Sequence, residues 1–249
     1  MTLQEAIVAR HSVRQYIDKP IEADIVNRLN DEIALCNQES GLHIQLVTNE
    51  PKAFAAGMAK YGSFRGVSNY LAMIGPKGAD EAIGYYGERL VLLAQTLGLN
   101  SCWVGLTFKK QPDQYNVTDG EKLHCVIALG YGANQGVQHR LRLMEHFVKE
   151  PNKESIKEPD AFSVGVSLPD WFRRGIEAAI LAPTAVNQQK FEFKLINNYS
   201  NNQAIKQSNN LPTVVAHTRF SLLGYTKMDL GIVKYHFEIA AGKENFNWQ

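Results

Sequence analysis

Two periods of apolar and polar alternation run along this chain, and the switches between them mark its elements. The amphipathic stretch from Leu3 to Val8 predicts a helix over residues 2–9. A second is predicted over 22–36, after the break at Lys19-Pro20-Ile21-Glu22. Short apolar runs predict strands over His43–Thr48, Tyr70–Ile74 and Leu123–Gly130, with a long helix over Ala79–Gly98 between the last two. The third strand ends in Gly130-Tyr131-Gly132, and the basic run from His139 to Arg142 leads into Lys149-Glu150-Pro151-Asn152-Lys153, a polar, proline-containing candidate linker. Beyond it the pattern restarts: a helix from Pro169 to about Leu181, strands over Phe191–Ile196 and Thr213–His217, and a helix over Asp229–Ala241.

The two parts can be laid on each other. His43 to Asn49 parallels Glu192 to Asn198, each behind a helix and a short loop. Gly87 to Gly98 matches Gly231 to Gly242, and glycines eleven residues apart fall on roughly one helical face, where they allow close backbone approach. This predicts two degenerate copies of one α+β unit, with chance similarity between two amphipathic helices as the alternative.

With 249 residues and 45% hydrophobic content, the chain can bury a substantial core. Its net charge of +1 gives no global basic field for nucleic acid, so any affinity for phosphate has to be local. The N-terminus lacks a basic stretch before an apolar core, and no apolar run reaches the length of a membrane span, which predicts a cytoplasmic protein with no membrane partner. Cys36, Cys102 and Cys125 have neither metal-ligand nor CxxC spacing, and Cys102 is expected to be a buried, inert thiol. His236 and Glu238 alternate with Tyr235 and Phe237 without an i, i+4 ligand, and read as surface or satisfied interior groups. Walker A, GxGxxG dinucleotide-binding and GxSxG nucleophile-elbow signatures are absent, and Asp229 has no second carboxylate placed for glycosidase or metal chemistry.

The candidate chemistry begins in the first loop, Arg10-His11-Ser12-Val13-Arg14-Gln15-Tyr16. If this run is extended, Arg10, Ser12 and Arg14 share a face, and two guanidinium forks with a hydroxyl suit a phosphate monoester. Read alone, the run fits either such a cradle or a solvated basic loop. It resembles the flavin-phosphate loop of the nitroreductase family of FMN-dependent oxidoreductases. Pro183-Thr184-Ala185-Val186-Asn187-Gln188-Gln189 is similar to that family's Pro-Ser-x-x-Asn-x-Gln-Pro-Trp motif, with Thr184 keeping the hydroxyl and Lys190-Phe191 standing in place of Pro-Trp. In ordinary members the second motif follows the first within one N-terminal region; here it lies about 170 residues later.

The resemblance implies an α+β, nitroreductase-like fold of two intertwined pseudo-symmetric halves, each with a small mixed or antiparallel sheet flanked by helices. Residues 1–150 would form the half with the phosphate loop and 160–249 the half with the Asn-x-Gln motif. One flavin site would be kept between them, in a monomeric pseudo-dimer or a homodimer. It further implies FMN, held by Arg10, His11, Ser12, Arg14, Arg140 and Arg142 at the phosphate, by Gly105 and Leu106 where the backbone passes the ring, and by Pro183, Thr184, Asn187 and Gln189 at the ring's pyrimidine edge. The implied partners are NADH or NADPH and a small acceptor such as a nitroaromatic or a quinone. No side-chain acid or base is required, because the flavin carries the chemistry. The alternatives from other classes are a non-catalytic flavin-binding or sensing protein and a two-half interaction module without a cofactor.

Overall fold

A computed structural model describes residues 1–55, 63–149, 168–196 and 211–249. The first element, α1 (Leu3–Ala9), opens with a capping box: the Thr2 hydroxyl accepts the Glu5 N–H, and the Glu5 carboxylate accepts the Thr2 N–H. It buries Ala6 and Ile7 and ends at Arg10, whose extended backbone starts the first loop. In α2 (Ala23–Ser40), Leu29, Ile33 and Cys36 form the buried stripe, and the helix runs four residues past its predicted end to a left-handed Gly41.

Four strands, β1 (Gln45–Val47), β2 (Asn69–Pro76), β3 (Asn100–Val104) and β4 (Glu121–Gly130), pair in the order β1-β2-β4-β3, antiparallel throughout. Alternation along β2 and β4 sends Leu71, Met73, Cys125, Ile127 and Leu129 to one face, against α2 and α3 (Asp80–Thr96). It sends Tyr70, Ala72, Ile74, Val126 and Ala128 to the other, against Val13, Tyr16, Phe54 and Val67. The first loop is thus stitched to the sheet: the Val13 N–H donates to the Ser101 carbonyl at 3.0 Å and the Tyr16 N–H to the Arg65 carbonyl at 2.9 Å.

The C-terminal part adds α4 (Asp170–Ile180), a β5 (Phe191–Ile196) to β6 (Thr213–Thr218) antiparallel pair, α5 (Thr226–Ala241) and a short β7 (Asn247–Trp248) parallel to β6. Its core is aromatic, with Phe172, Phe191, Phe193, Phe237 and Phe246 buried together. The architecture is the expected α+β arrangement with one antiparallel and one mixed sheet. A fourth cluster, Ala6, Ile7, Leu92, Ala178 and Tyr235, ties α1 to α3, α4 and α5, so the N-terminal helix packs across C-terminal elements. Among the described residues no helix is long and apolar enough to cross a membrane.

Two readings need correction. The helix predicted from Asp229 begins three residues earlier, at Thr226, behind a left-handed Tyr225. The close approach of α3 and α5 is made by Gly84 with Gly231, and not by Gly87: a Cβ on Gly84 would overlap the Met228 carbonyl oxygen, and one on Gly231 the Glu81 carbonyl oxygen. Gly87 faces the Trp103 and Met73 side chains instead. Of the proposed linker, residues 150–153 lie outside the described residues, as do Asn197 and Asn198 of the second parallel.

Candidate functional site

The extended first loop sends alternate residues in opposite directions. Val13 enters the core, while Arg10, Ser12 and Arg14, with His11, line a cavity of about 470 Å³. The other walls come from the end of β3 and the turn after it (Trp103 to Thr107), from Val137 to His139, from Pro183 to Asn187, and from Leu223, Tyr225, Met228, Asp229 and Ile232. The two motifs distant in sequence therefore meet across one space. Gly105 and Leu106 also line it, and a Cβ on Gly105 would stand 2.8 Å from the Tyr225 hydroxyl oxygen, so the bare backbone there lets Tyr225 approach.

Arg10 is the unusual member. Only 3% of it is exposed, and its Nε and one terminal nitrogen have no hydrogen-bond partner. The Glu88 carboxylate stands 3.7 Å from Nε, an ion pair beyond hydrogen-bond reach, and buried donors on a cavity wall that lack a hydrogen-bond acceptor suit an anionic ligand. Burial, reinforced by the Arg10 charge, pushes the His11 imidazole below its ordinary pKa. His139 is pushed down as well, by burial first and then by Arg10, His11 and His236, against the bond its Nε2 makes to the Ile180 carbonyl at 3.1 Å. The wall around Arg10 thus resists further positive charge and suits an anion.

The Pro183–Gln189 loop is held from below by Asp229, whose carboxylate accepts the Ala185 N–H at 2.9 Å and the Gln188 amide at 2.7 Å. Val186, Asn187 and Gln189 have φ of 46°, 55° and 48°, a region that β-branched valine rarely enters. Burial pushes the Asp229 carboxyl up to about 6, with those two hydrogen bonds opposing.

Three sequence-predicted residues stand differently from the rest. Arg140 and Arg142 are exposed and do not line the cavity, while His139 just before them does. Gln189 is buried behind the loop: its amide donates to the Arg140 carbonyl at 2.8 Å and to Asn187 Oδ1 at 2.6 Å, and its backbone N–H donates to the Thr184 hydroxyl. Asn187 lines the cavity but also donates to the Arg140 carbonyl at 3.1 Å. Phe191 stacks on Phe147 in the core and not against the cavity. Trp103, His139, Tyr225 and Asp229 were not identified as cavity residues from sequence. Each is an isolated polar or aromatic residue whose place depends on tertiary packing. Among the described residues no His, Cys, Asp and Glu cluster could hold a metal ion, and the three cysteines are buried thiols.

The family model described as "Putative TM nitroreductase" matches residues 2–241. A comparison with the curated proteins found no match. Among solved structures, a "putative nitroreductase" from Thermotoga maritima is 18% identical with a TM-score of 0.60, over 98% of this chain and 85% of that one, and shares its fold. A nitroreductase with bound FMN from Bacteroides fragilis is 23% identical with a TM-score of 0.42, over 64% of this chain and 98% of that one.

Proposed function

Since the chain belongs to the Putative TM nitroreductase family, we propose that it is an FMN-dependent oxidoreductase that takes reducing equivalents from NADH or NADPH and delivers them to a small acceptor such as a quinone or a nitroaromatic. The observation that carries this reading is the buried Arg10 guanidinium, ion-paired with Glu88 but with two nitrogens lacking a hydrogen bond, beside Ser12 and Arg14 on the cavity wall. Two guanidinium groups and a hydroxyl match the oxygens of a terminal phosphate monoester. Apolar residues of the lining, Val104, Met228 and Ile232 among them, offer the remaining surface that a flat aromatic system needs. Thr184 and Asn187 face the same space and would meet the polar edge of the ring, with Gln189 bracing their loop.

FMN, when bound, supplies the hydride and electron chemistry, and the protein anchors and orients it and leaves a face open to the two substrates. The residues named come from both proposed halves, 1–150 and 160–249, so one chain completes one site. The reciprocal approach of Gly84 and Gly231 supports the reading of those halves as degenerate copies. Saturation is expected at one FMN per chain, and two FMN per chain would overturn the single-site reading.

Arg14 gives the cleaner test of the phosphate grip, because it is exposed while Arg10 is buried against Glu88. Arg14→Ala is expected to weaken FMN by roughly tenfold to a hundredfold, the loss of one charge-assisted bond, and to leave riboflavin affinity unchanged. Equal losses for both flavins would remove the phosphate assignment. Anaerobic NADH or NADPH is expected to abolish the oxidised-flavin absorbance of the holoprotein, and an added quinone to restore it. A spectrum unmoved by either nicotinamide would leave a flavin-binding protein without turnover.

A further inference from the structure

Behind the cavity wall lies a set of ionisable side chains that the proposed flavin chemistry does not use. Glu88 on α3 and His236 on α5 are each 0% exposed. Glu88 Oε1 lies 2.8 Å from His236 Nε2 and 3.7 Å from Arg10 Nε, and its Oε2 accepts the indole N–H of Trp103 at 2.8 Å. The other ring nitrogen of His236, Nδ1, stands 3.0 Å from the Ala178 carbonyl oxygen on α4. The first loop, β3 and α5 thus converge on one carboxylate of α3, with α4 holding the far side of His236, and two of the carboxylate's neighbours, Arg10 and Trp103, line the cavity.

The hydrogen-bond partners determine the charge of the set. A carbonyl oxygen only accepts, so Nδ1 must carry a hydrogen toward Ala178. The contact between Nε2 and Oε1 then needs one more hydrogen, because two lone pairs facing each other at that distance repel. Whether that hydrogen sits on the imidazole or on the carboxyl, the Glu88–His236 pair is neutral as a whole. Arg10, Glu88 and His236 together therefore carry one positive charge. Without the histidine's proton, an ionised Glu88 beside Arg10 would bring that sum to zero.

We propose that His236 is a charge-setting, positioning residue for the cavity: it neutralises Glu88, so that Arg10 keeps its guanidinium pinned by a nearby carboxylate and still presents an uncancelled positive charge to the ligand's phosphate. The inference rests on the flavin reading above. It separates two roles that a buried Arg–Glu pair usually merges, holding a side chain in place and cancelling its charge. His236 touches no ligand and acts only through Glu88 and Arg10.

The test is fluorescence titration of FMN and riboflavin into the full-length apoprotein and three variants, with folding checked by thermal melting. In His236→Gln the new amide donates to Glu88 without bringing a proton, so FMN affinity is expected to fall about tenfold or more while riboflavin affinity holds. In Glu88→Gln the histidine is neutral and Arg10 keeps its charge but loses its carboxylate neighbour, so FMN affinity is expected to fall less than in His236→Gln. The double variant, Glu88→Gln with His236→Gln, again leaves one positive charge and is expected to recover the FMN affinity lost in His236→Gln. A merely structural role would make the double variant the worst of the three. Equal losses of FMN and riboflavin in His236→Gln, or a double variant no better than His236→Gln, would overturn the proposal. If His236→Gln does not fold, Glu88→Gln and the double variant still decide, since a loss of FMN affinity of about tenfold or more in both contradicts it. Native protein that binds no FMN would overturn the flavin reading and this inference together, whereas native binding with an unaffected His236→Gln overturns this inference alone.

Discussion

Gly231→Ala is expected to lower the unfolding free energy by about 3 kcal/mol or more, although alanine is intrinsically the better helix former by about 1 kcal/mol. The reason is the α3–α5 crossing. A Cβ at Gly231 would overlap the Glu81 carbonyl oxygen and stand 2.6 Å from the Tyr85 nitrogen, and both are backbone atoms of the first two turns of α3. Neither can move without unwinding α3, so the two helices must separate. Separation breaks the packing of Met228 against the first sheet's core and of Leu92 and Tyr235 in the cluster that also holds α1. Gly84→Ala poses the same problem from the opposite side, against Met228 and Ile232 backbone atoms, and should cost a similar amount. For a chain of this length, about 3 kcal/mol corresponds to a fall in Tm of roughly 6–12 °C. A melting temperature unchanged or raised in either variant would mean that the helices do not approach as closely as described here.

That crossing also shows where reading the sequence succeeds and where it stops. The expectation of glycine-mediated close approach on α5 is correct, but the eleven-residue spacing that aligns Gly87–Gly98 with Gly231–Gly242 does not single out Gly84, the α3 glycine that approaches α5. Gly84 and Gly87 lie three residues apart, on neighbouring strips of one helix, and only the crossing geometry selects between them. The first loop was legible for a local reason: two-residue alternation assigns Val13 to the core and Arg10, Ser12 and Arg14 to the other side, whatever the rest of the fold does. The pairing of that loop with Pro183–Asn187 was legible only through the resemblance to nitroreductases, because nothing in either segment points to the other.

The remainder of the site is long-range and left no sequence pattern. The sequence leaves His236 as a surface or a satisfied interior group; the structure makes it the second, with a partner, Glu88, 148 positions away. Arg140 and Arg142 were expected at the phosphate from their position after Gly130-Tyr131-Gly132; the structure turns the Arg140 carbonyl toward the Asn187 and Gln189 amides and puts His139 on the cavity wall. A carbonyl exists at every residue, so its use as the anchor of a loop cannot be read from residue type.

Asp229 is expected to make stability depend on pH in the opposite sense to an ordinary paired carboxylate. Its folded-state pKa is pushed up to about 6 by burial, whereas an unfolded aspartate titrates near about 3.9. Below about pH 3 the group is protonated in both states and costs nothing. As pH rises toward about 6 the unfolded chain releases the proton first, and stability falls. Above that range the native state carries the cost of a buried carboxylate, about 3 kcal/mol at most and only partly offset by unrelated groups. Asp80 and Glu121, lowered by their bonds to His43 or His124 and to neighbouring groups, act with the opposite sign, so the total profile does not isolate Asp229. Comparison with Asp229→Asn does. The amide cannot titrate, and its donor face toward the Gln188 amide adds a penalty that is the same at every pH. Chemical denaturation of both proteins between pH 4 and 7 is therefore expected to show the difference moving in favour of Asp229→Asn by about 2 kcal/mol as pH rises. A difference that is flat across that interval would show that the carboxylate is not buried as argued, and with it would go its role as the brace beneath the strained Val186–Gln189 loop.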